Sequence, residues 1–202
     1  MRSDLHGGSL TLVAALIAGV SLAVSAGPVR AQNDARGVAG TEARDAWRAS
    51  LEAEARGVWI TSNAAYQAED GGIERYGLDW SAEPGGMSGS GCLWGERSGQ
   101  STVFWRFARL WDPVEERGIV HQASPSGAVA MGYHDGGGEE LIQTLVQPNG
   151  SRMEIRHLTE LEGDSVRIDR SFQRADAAAD WVEGRTYRWV RRMDVVSPCE
   201  AG

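Results

Sequence analysis

Lysine is absent: all 20 basic side chains are arginine, set against 28 acids, for a net charge of −8 over 202 residues. An acidic chain without a basic face argues against a binder that tracks nucleic-acid phosphates. Cysteine is scarce, with only Cys92 and Cys199, and no C-x-x-C occurs. H-E-x-x-H and G-x-S-x-G are missing too, so the common zinc and serine-nucleophile signatures do not apply. Beyond the first thirty residues the histidines are His121, His134 and His157, none two positions from another. That spacing cannot place two metal ligands on one strand face, so no metal or cofactor is expected. His157 is the best placed of the three for a haem inside a barrel, but a lone strand histidine is more often hydrogen-bonded or exposed. Phe and Tyr together number seven, fewer than the eight Trp. Hydrophobics at 42% and charged residues at 24% place the chain among neither disordered nor polytopic membrane proteins. Arginine without lysine, beside abundant Ala and Gly, marks GC-rich, bacterial coding rather than a function.

One long uncharged run exists, LTLVAALIAGVSLAVSA from Leu10 to Ala26. Arg2 precedes it and Val29-Arg30-Ala31 follows, the pattern of a secretory signal over 1–31 cut after Ala31. An uncleaved anchor is the rival, although the run is short for a spanning helix. Cleavage removes Arg2, Asp4 and Arg30, leaving −9 over 171 residues and no stable membrane span. The expected location is periplasmic or secreted. In that compartment an even pair of cysteines is read as a Cys92–Cys199 disulfide, with two unpaired thiols as the alternative.

After a polar tail over 32–40, TEARDAWRASLEAEARG places Ala43, Trp47, Leu51 and Ala55 four residues apart. This predicts a helix over 41–56 with one thin buried stripe, capped by Thr41 and stopped by Gly57. Beyond Gly57 turn signals recur, among them Pro84-Gly85-Gly86, Ser98-Gly99 and Pro148-Asn149-Gly150. Asn149-Gly150-Ser151 also fits a glycosylation sequon but is read as a hairpin turn. Strands are predicted at 57–66, 73–81, 87–95, 101–111, 117–123, 127–134, 139–147, 151–161, 165–174 and 184–194. Residues 176–183 interrupt the rhythm, and 195–202 form a carboxy-terminal tail. About ten strands in series form an antiparallel meander, and closure removes its edges. The fold expected is all-β: a closed or nearly closed up-and-down barrel over 57–194 with one amino-terminal helix. A two-sheet sandwich is the rival.

At Gly57-Val58-Trp59 the first strand opens with a G-x-W pattern, and the last reads Arg185-Thr186-Tyr187-Arg188-Trp189-Val190-Arg191-Arg192. Together they resemble lipocalin-like barrels of the calycin superfamily. The resemblance implies that Trp59 packs against an arginine of the final strand, Arg188 or Arg191, in a cation–π contact. A disulfide tying the carboxy-terminal segment to the wall, as Cys92–Cys199 would, is similar to lipocalins too. The run from Tyr76-Gly77-Leu78-Asp79-Trp80 through Phe104-Trp105 to Trp111-Asp112-Pro113 is similar to secreted bacterial proteins of no assigned activity. Ten strands resemble the fatty-acid-binding and nitrobindin branches. The resemblance implies a small hydrophobic or amphipathic ligand inside the barrel.

Strand alternation groups Val103, Trp105, Phe107, Arg109 and Trp111 on one face, Tyr76, Leu78 and Trp80 on another, and Tyr187 with Trp189 on the last strand. If these faces point inward, the candidate ligand-binding residues are Tyr76, Trp80, Trp105, Arg109, Tyr187 and Trp189. Gln122, Gln143, His157 and Arg170 are the polar handles. Equally, the aromatics could fill the bore solid. Asp79, beside Trp80, is a weak candidate for a buried acid. Three functions stay open: a small-molecule carrier, a filled-barrel interaction module without catalysis, and a lipocalin-like isomerase or cyclase. No catalytic residue is assigned, and the oligomeric state is open.

Overall fold

The computed structural model describes the backbone of residues 29–134 and 139–200, with side chains from Gly40 to Cys199 within those spans. The expected signal segment over 1–31 lies outside the described residues, apart from its last three positions. Helix α1 (Val29–Glu54) leads into ten strands: β1 (Val58–Ser62), β2 (Arg75–Ala82), β3 (Ser88–Arg97), β4 (Gln100–Asp112) and β5 (Arg117–Ala123). The remaining five are β6 (Val129–His134), β7 (Glu140–Val146), β8 (Arg152–Glu162), β9 (Val166–Arg174) and β10 (Val182–Arg192). Each strand pairs antiparallel with its sequence neighbour, and β1 pairs with β10, so the sheet closes on itself as an up-and-down barrel. Trp59 sits opposite Arg191 on one side and Leu78 on the other. Closure satisfies every edge, which settles barrel against sandwich. Eight strands enclose a bore that side chains just fill, so ten leave room inside.

Two expectations at the amino end are corrected. The helical backbone runs through 32–40, where a tail was expected, because little before Gly37 opposes a helix. Thr41 therefore lies inside α1 rather than capping it. At the other end Gly57, with φ +101°, turns the chain from the helix into β1. The first strand is shorter than expected, because residues 63–72 fold into a compact turn-rich segment.

A bulge in β4 corrects one face. Leu93 pairs with Trp105 but Trp94 pairs with Val103, leaving Phe104 unpaired. Both Phe104 and Trp105 then turn inward, Phe104 against Tyr76, and Val103 swings to the outer surface. There Val103 packs with Val58, Ile60, Cys92 and Trp94 beneath the carboxy-terminal segment, which carries Val195 and Cys199. Cys92 and Cys199 are bridged, with Cα atoms 5.7 Å apart. In the chain-entropy view a loop of 107 residues so closed contributes about 4–5 kcal/mol. Among the described residues no helix is long and apolar enough to cross a membrane.

Candidate functional site: the barrel cavity

Inward positions differ sharply around the bore. On β2, β4 and β10 they are Leu78, Trp80, Phe107, Tyr187 and Trp189, which pack with buried Trp59. The Trp80 and Phe107 rings stack at 5.0 Å. On β8 and β9 the inward positions are His157, Thr159, Arg167, Asp169 and Ser171. Between the two walls lies a cavity of about 300 Å³.

The far end of the bore is solid. Ala128, Ala130 and Leu145 pack there with Trp105, Met153 and Ile155. The segment after β1 folds over it, held by the Asp70 carboxylate. Oδ2 of Asp70 accepts hydrogen bonds from Arg185 Nη1 (2.6 Å), Tyr76 Oη (2.7 Å) and Asn63 Nδ2 (3.0 Å). Burial would raise this carboxyl, but these donors outweigh burial and hold it below its ordinary value. Burial and the neighbouring Asp70 charge together push the Tyr76 hydroxyl up, so it stays protonated and donates. Tyr187 Oη donates in turn to Asn63 Oδ1 at 3.2 Å.

The near end is covered by α1. Trp47 is wholly buried, its ring against His134 and Trp111, and its indole N–H donates to the Met87 carbonyl. Gly118 makes this possible, since a β-carbon there would overlap the Trp47 ring. The last turn of the helix is stapled to the wall. Arg191 donates to the Ala53 carbonyl at 2.9 Å, Trp59 Nε1 donates to the Glu54 carbonyl, and Arg191 lies 4.3 Å over the Trp59 ring. A cation at a helix carboxy terminus is favourable, so one arginine serves both the helix and the indole.

Glu54 reaches past the staple into the bore. Its Oε2 lies 2.9 Å from Arg109 Nη1 and 3.2 Å from Arg167 Nη1. Arg167 also pairs with Asp169 through Nε, and Thr159 donates to the same Asp169. Arg109 lies about 5 Å over the rings of both Trp47 and Trp80. Its Nη2 is 3.1 Å from His134 Nε2, which must accept, placing the His134 proton on Nδ1. Burial alone would raise the Glu54 carboxyl, yet the two guanidinium groups outweigh it and keep Glu54 ionised, below its ordinary value. Burial would lower Arg167 as well, but Asp169 and Glu54 more than offset it and push it up. At His157 burial dominates over the attraction of Asp169, so the ring is depressed below its ordinary value and is neutral at pH 7. A second hollow of about 530 Å³ lies beside the helix and shares Glu54 and Thr159 with the cavity.

Of the candidate residues, Trp80, Arg109, Gln122, His157, Tyr187 and Trp189 line the cavity. Tyr76 and Trp105 also face inward but belong to the packed part of the bore. Gln143 is fully buried and accepts a hydrogen bond from Gln122 at 2.9 Å. Arg170 is a correction: it is exposed on the outer surface and pairs with Glu160. With Arg167, Asp169 and Ser171 inward, alternation sends Arg170 outward. Arg188 is likewise outward, paired with Glu162, so the arginine on Trp59 is Arg191. Asp79 is outward between inward Leu78 and Trp80, and lines a surface groove. Glu54, His134, Thr159, Arg167 and Asp169 are functional candidates that the sequence reading missed. On β9 the inward residues are polar while Val166 and Ile168 face out, which inverts the usual apolar-inward rule. Among the described residues no cluster of His, Cys, Asp and Glu could hold a metal ion. The chain matches no protein-family model and no curated protein.

Proposed function

We propose that this is an exported, lipocalin-like binding protein whose cavity takes one small, uncharged amphipathic molecule. The observation that carries the reading is the unequal wall: Trp80, Phe107 and Trp189 on one side, His157 and the Arg167–Asp169 pair on the other, around one void. A volume of about 300 Å³ lies at the lower end for ligand pockets, which favours a small molecule over a long lipid. The apolar part of such a molecule packs on the indoles. Its polar part faces His157, whose neutral ring offers one donor and one acceptor. The Cys92–Cys199 bridge supports an oxidising compartment. The Trp59–Arg191 contact and the up-and-down closure support kinship with calycin barrels.

Titration with uncharged amphiphiles, followed through tryptophan emission, tests the reading, because Trp80 and Trp189 line the cavity. A saturable shift at one molecule per chain is expected. An unchanged spectrum across such a series, with nothing retained in native mass spectra, would refute it. A second reading, an interaction module, draws on Met131, Tyr133 and Ile142, which are exposed on the outer face of β6 and β7. Concentration-dependent association that a charged substitution at Met131 abolishes would favour it.

A further inference from the structure

We infer that Arg109 and Arg167 form an anion site which the protein fills with its own Glu54, so that this carboxylate sets the cavity's specificity for uncharged molecules. The inference rests on the cavity-binding reading and names the charge class of the ligand. Glu54 differs in origin from the other charged groups of the cavity: it comes from the end of α1, outside the barrel, whereas the arginines stand on β4 and β9. One oxygen, Oε2, sits between the two Nη1 groups. The guanidinium side chains are only 5% and 12% exposed, so each needs a counter-charge inside the bore. Arg167 has Asp169 as well as Glu54, but among the described residues Glu54 is the one carboxylate paired with Arg109.

Charge balance decides what can enter. Glu54 and Asp169 match Arg109 and Arg167, Asp70 matches Arg185, His157 is neutral, and His134, whose Nε2 accepts from Arg109, stands in its neutral form. A carboxylate brought into this balanced cavity is an unpaired buried charge unless it displaces Glu54, whereas an alcohol or amide carries no such cost. Glu54, Arg109 and Arg167 all line the 300 Å³ cavity, so removing the Glu54 charge leaves Arg109 facing a space that an anion can occupy.

The test compares octan-1-ol with octanoate on the full protein by calorimetry. The wild type is expected to bind the alcohol about tenfold or more tightly than the carboxylate. In Glu54→Gln the order inverts, and sodium formate raises the melting temperature of this variant but not of the wild type. The double variant Glu54→Gln/Arg109→Met keeps the charge balance and is expected to lose the response to formate. A wild type that binds octanoate as well as octanol overturns the inference, as does a Glu54→Gln variant with unchanged preference. If Glu54→Gln is unfolded, refolding by formate supports the site and failure to refold overturns it. A wild type that binds neither compound refutes the cavity-binding reading, while the formate arm still decides for or against the anion site.

Discussion

Both ends of the barrel are shut by a carboxylate bound to an inward arginine, yet the two closures are built differently. At the far end Asp70 belongs to the turn after β1, and its partners Asn63 and Tyr76 lie within seven residues of it, with Arg185 added from β10. At the near end Glu54 is carried by a helix, and its charged partners Arg109 and Arg167 are far along the chain. The far closure is a hydrogen-bond network with neutral donors in it. At the near closure the carboxylate itself is held by ion pairs, with aromatic rings packed around it and the helix backbone stapled by Trp59 and Arg191. A mixed network loses one bond at a time, whereas an ionic plug loses its counter-charge at once. The cavity lies between the two closures, lined by Arg109 and Arg167 of one and by Arg185 and Tyr187 of the other.

The largest expected effect sharpens the comparison by leaving both ends alone. Cys199→Ser removes the strap across the outer wall and should lower unfolding stability by about 4–5 kcal/mol in denaturant titrations. Combined with a variant at either end, its effect should add to within about 0.5 kcal/mol, since the sites share no partners. Next, Glu54→Gln should cost about 3–5 kcal/mol by stranding the buried Arg109 guanidinium and leaving Arg167 to Asp169 alone. Asp70→Asn should cost less, about 1–3 kcal/mol, because the amide oxygen still accepts from Tyr76 and Arg185. Equal losses at the two ends would break the distinction.

The smallest effect is in acid. Both carboxyls are held below their ordinary values of 4.5 for Glu54 and 3.8 for Asp70. Their stabilisation is therefore complete above those values and is lost as pH falls through the lower values of the folded state. Melting temperature measured from pH 6 downward should fall in the wild type. It should fall less in Glu54→Gln and in Asp70→Asn.

Much of the fold was legible in the sequence because alternation and turn chemistry are local. Ser98-Gly99 and Pro148-Asn149-Gly150 mark their hairpins, and nine strands lie within about two residues of their expected bounds. The site was legible where aromatics signalled the inward face, as at Trp80, Phe107 and Trp189, and at the polar positions Arg109, Gln122 and His157. It failed on β9, where the candidate handle Arg170 faces out and Arg167, which no sequence pattern singled out, faces in. No pattern within a single strand reports which face meets a polar wall opposite. Glu54 was invisible for another reason. Seven residues after Trp47 it shares the buried stripe, but a lone glutamate there names no partner, and only the docked helix brings it to Arg109.

The central claim is that the void between the two walls is a binding site, and filling it from within tests that most directly. Val120 lines the cavity and is buried, so Val120→Trp places an indole in the space a ligand would use. Calorimetric titration with octan-1-ol should give one-to-one binding in the wild type and affinity weaker by about tenfold or more in the folded variant. Equal affinity in the two proteins would contradict the account.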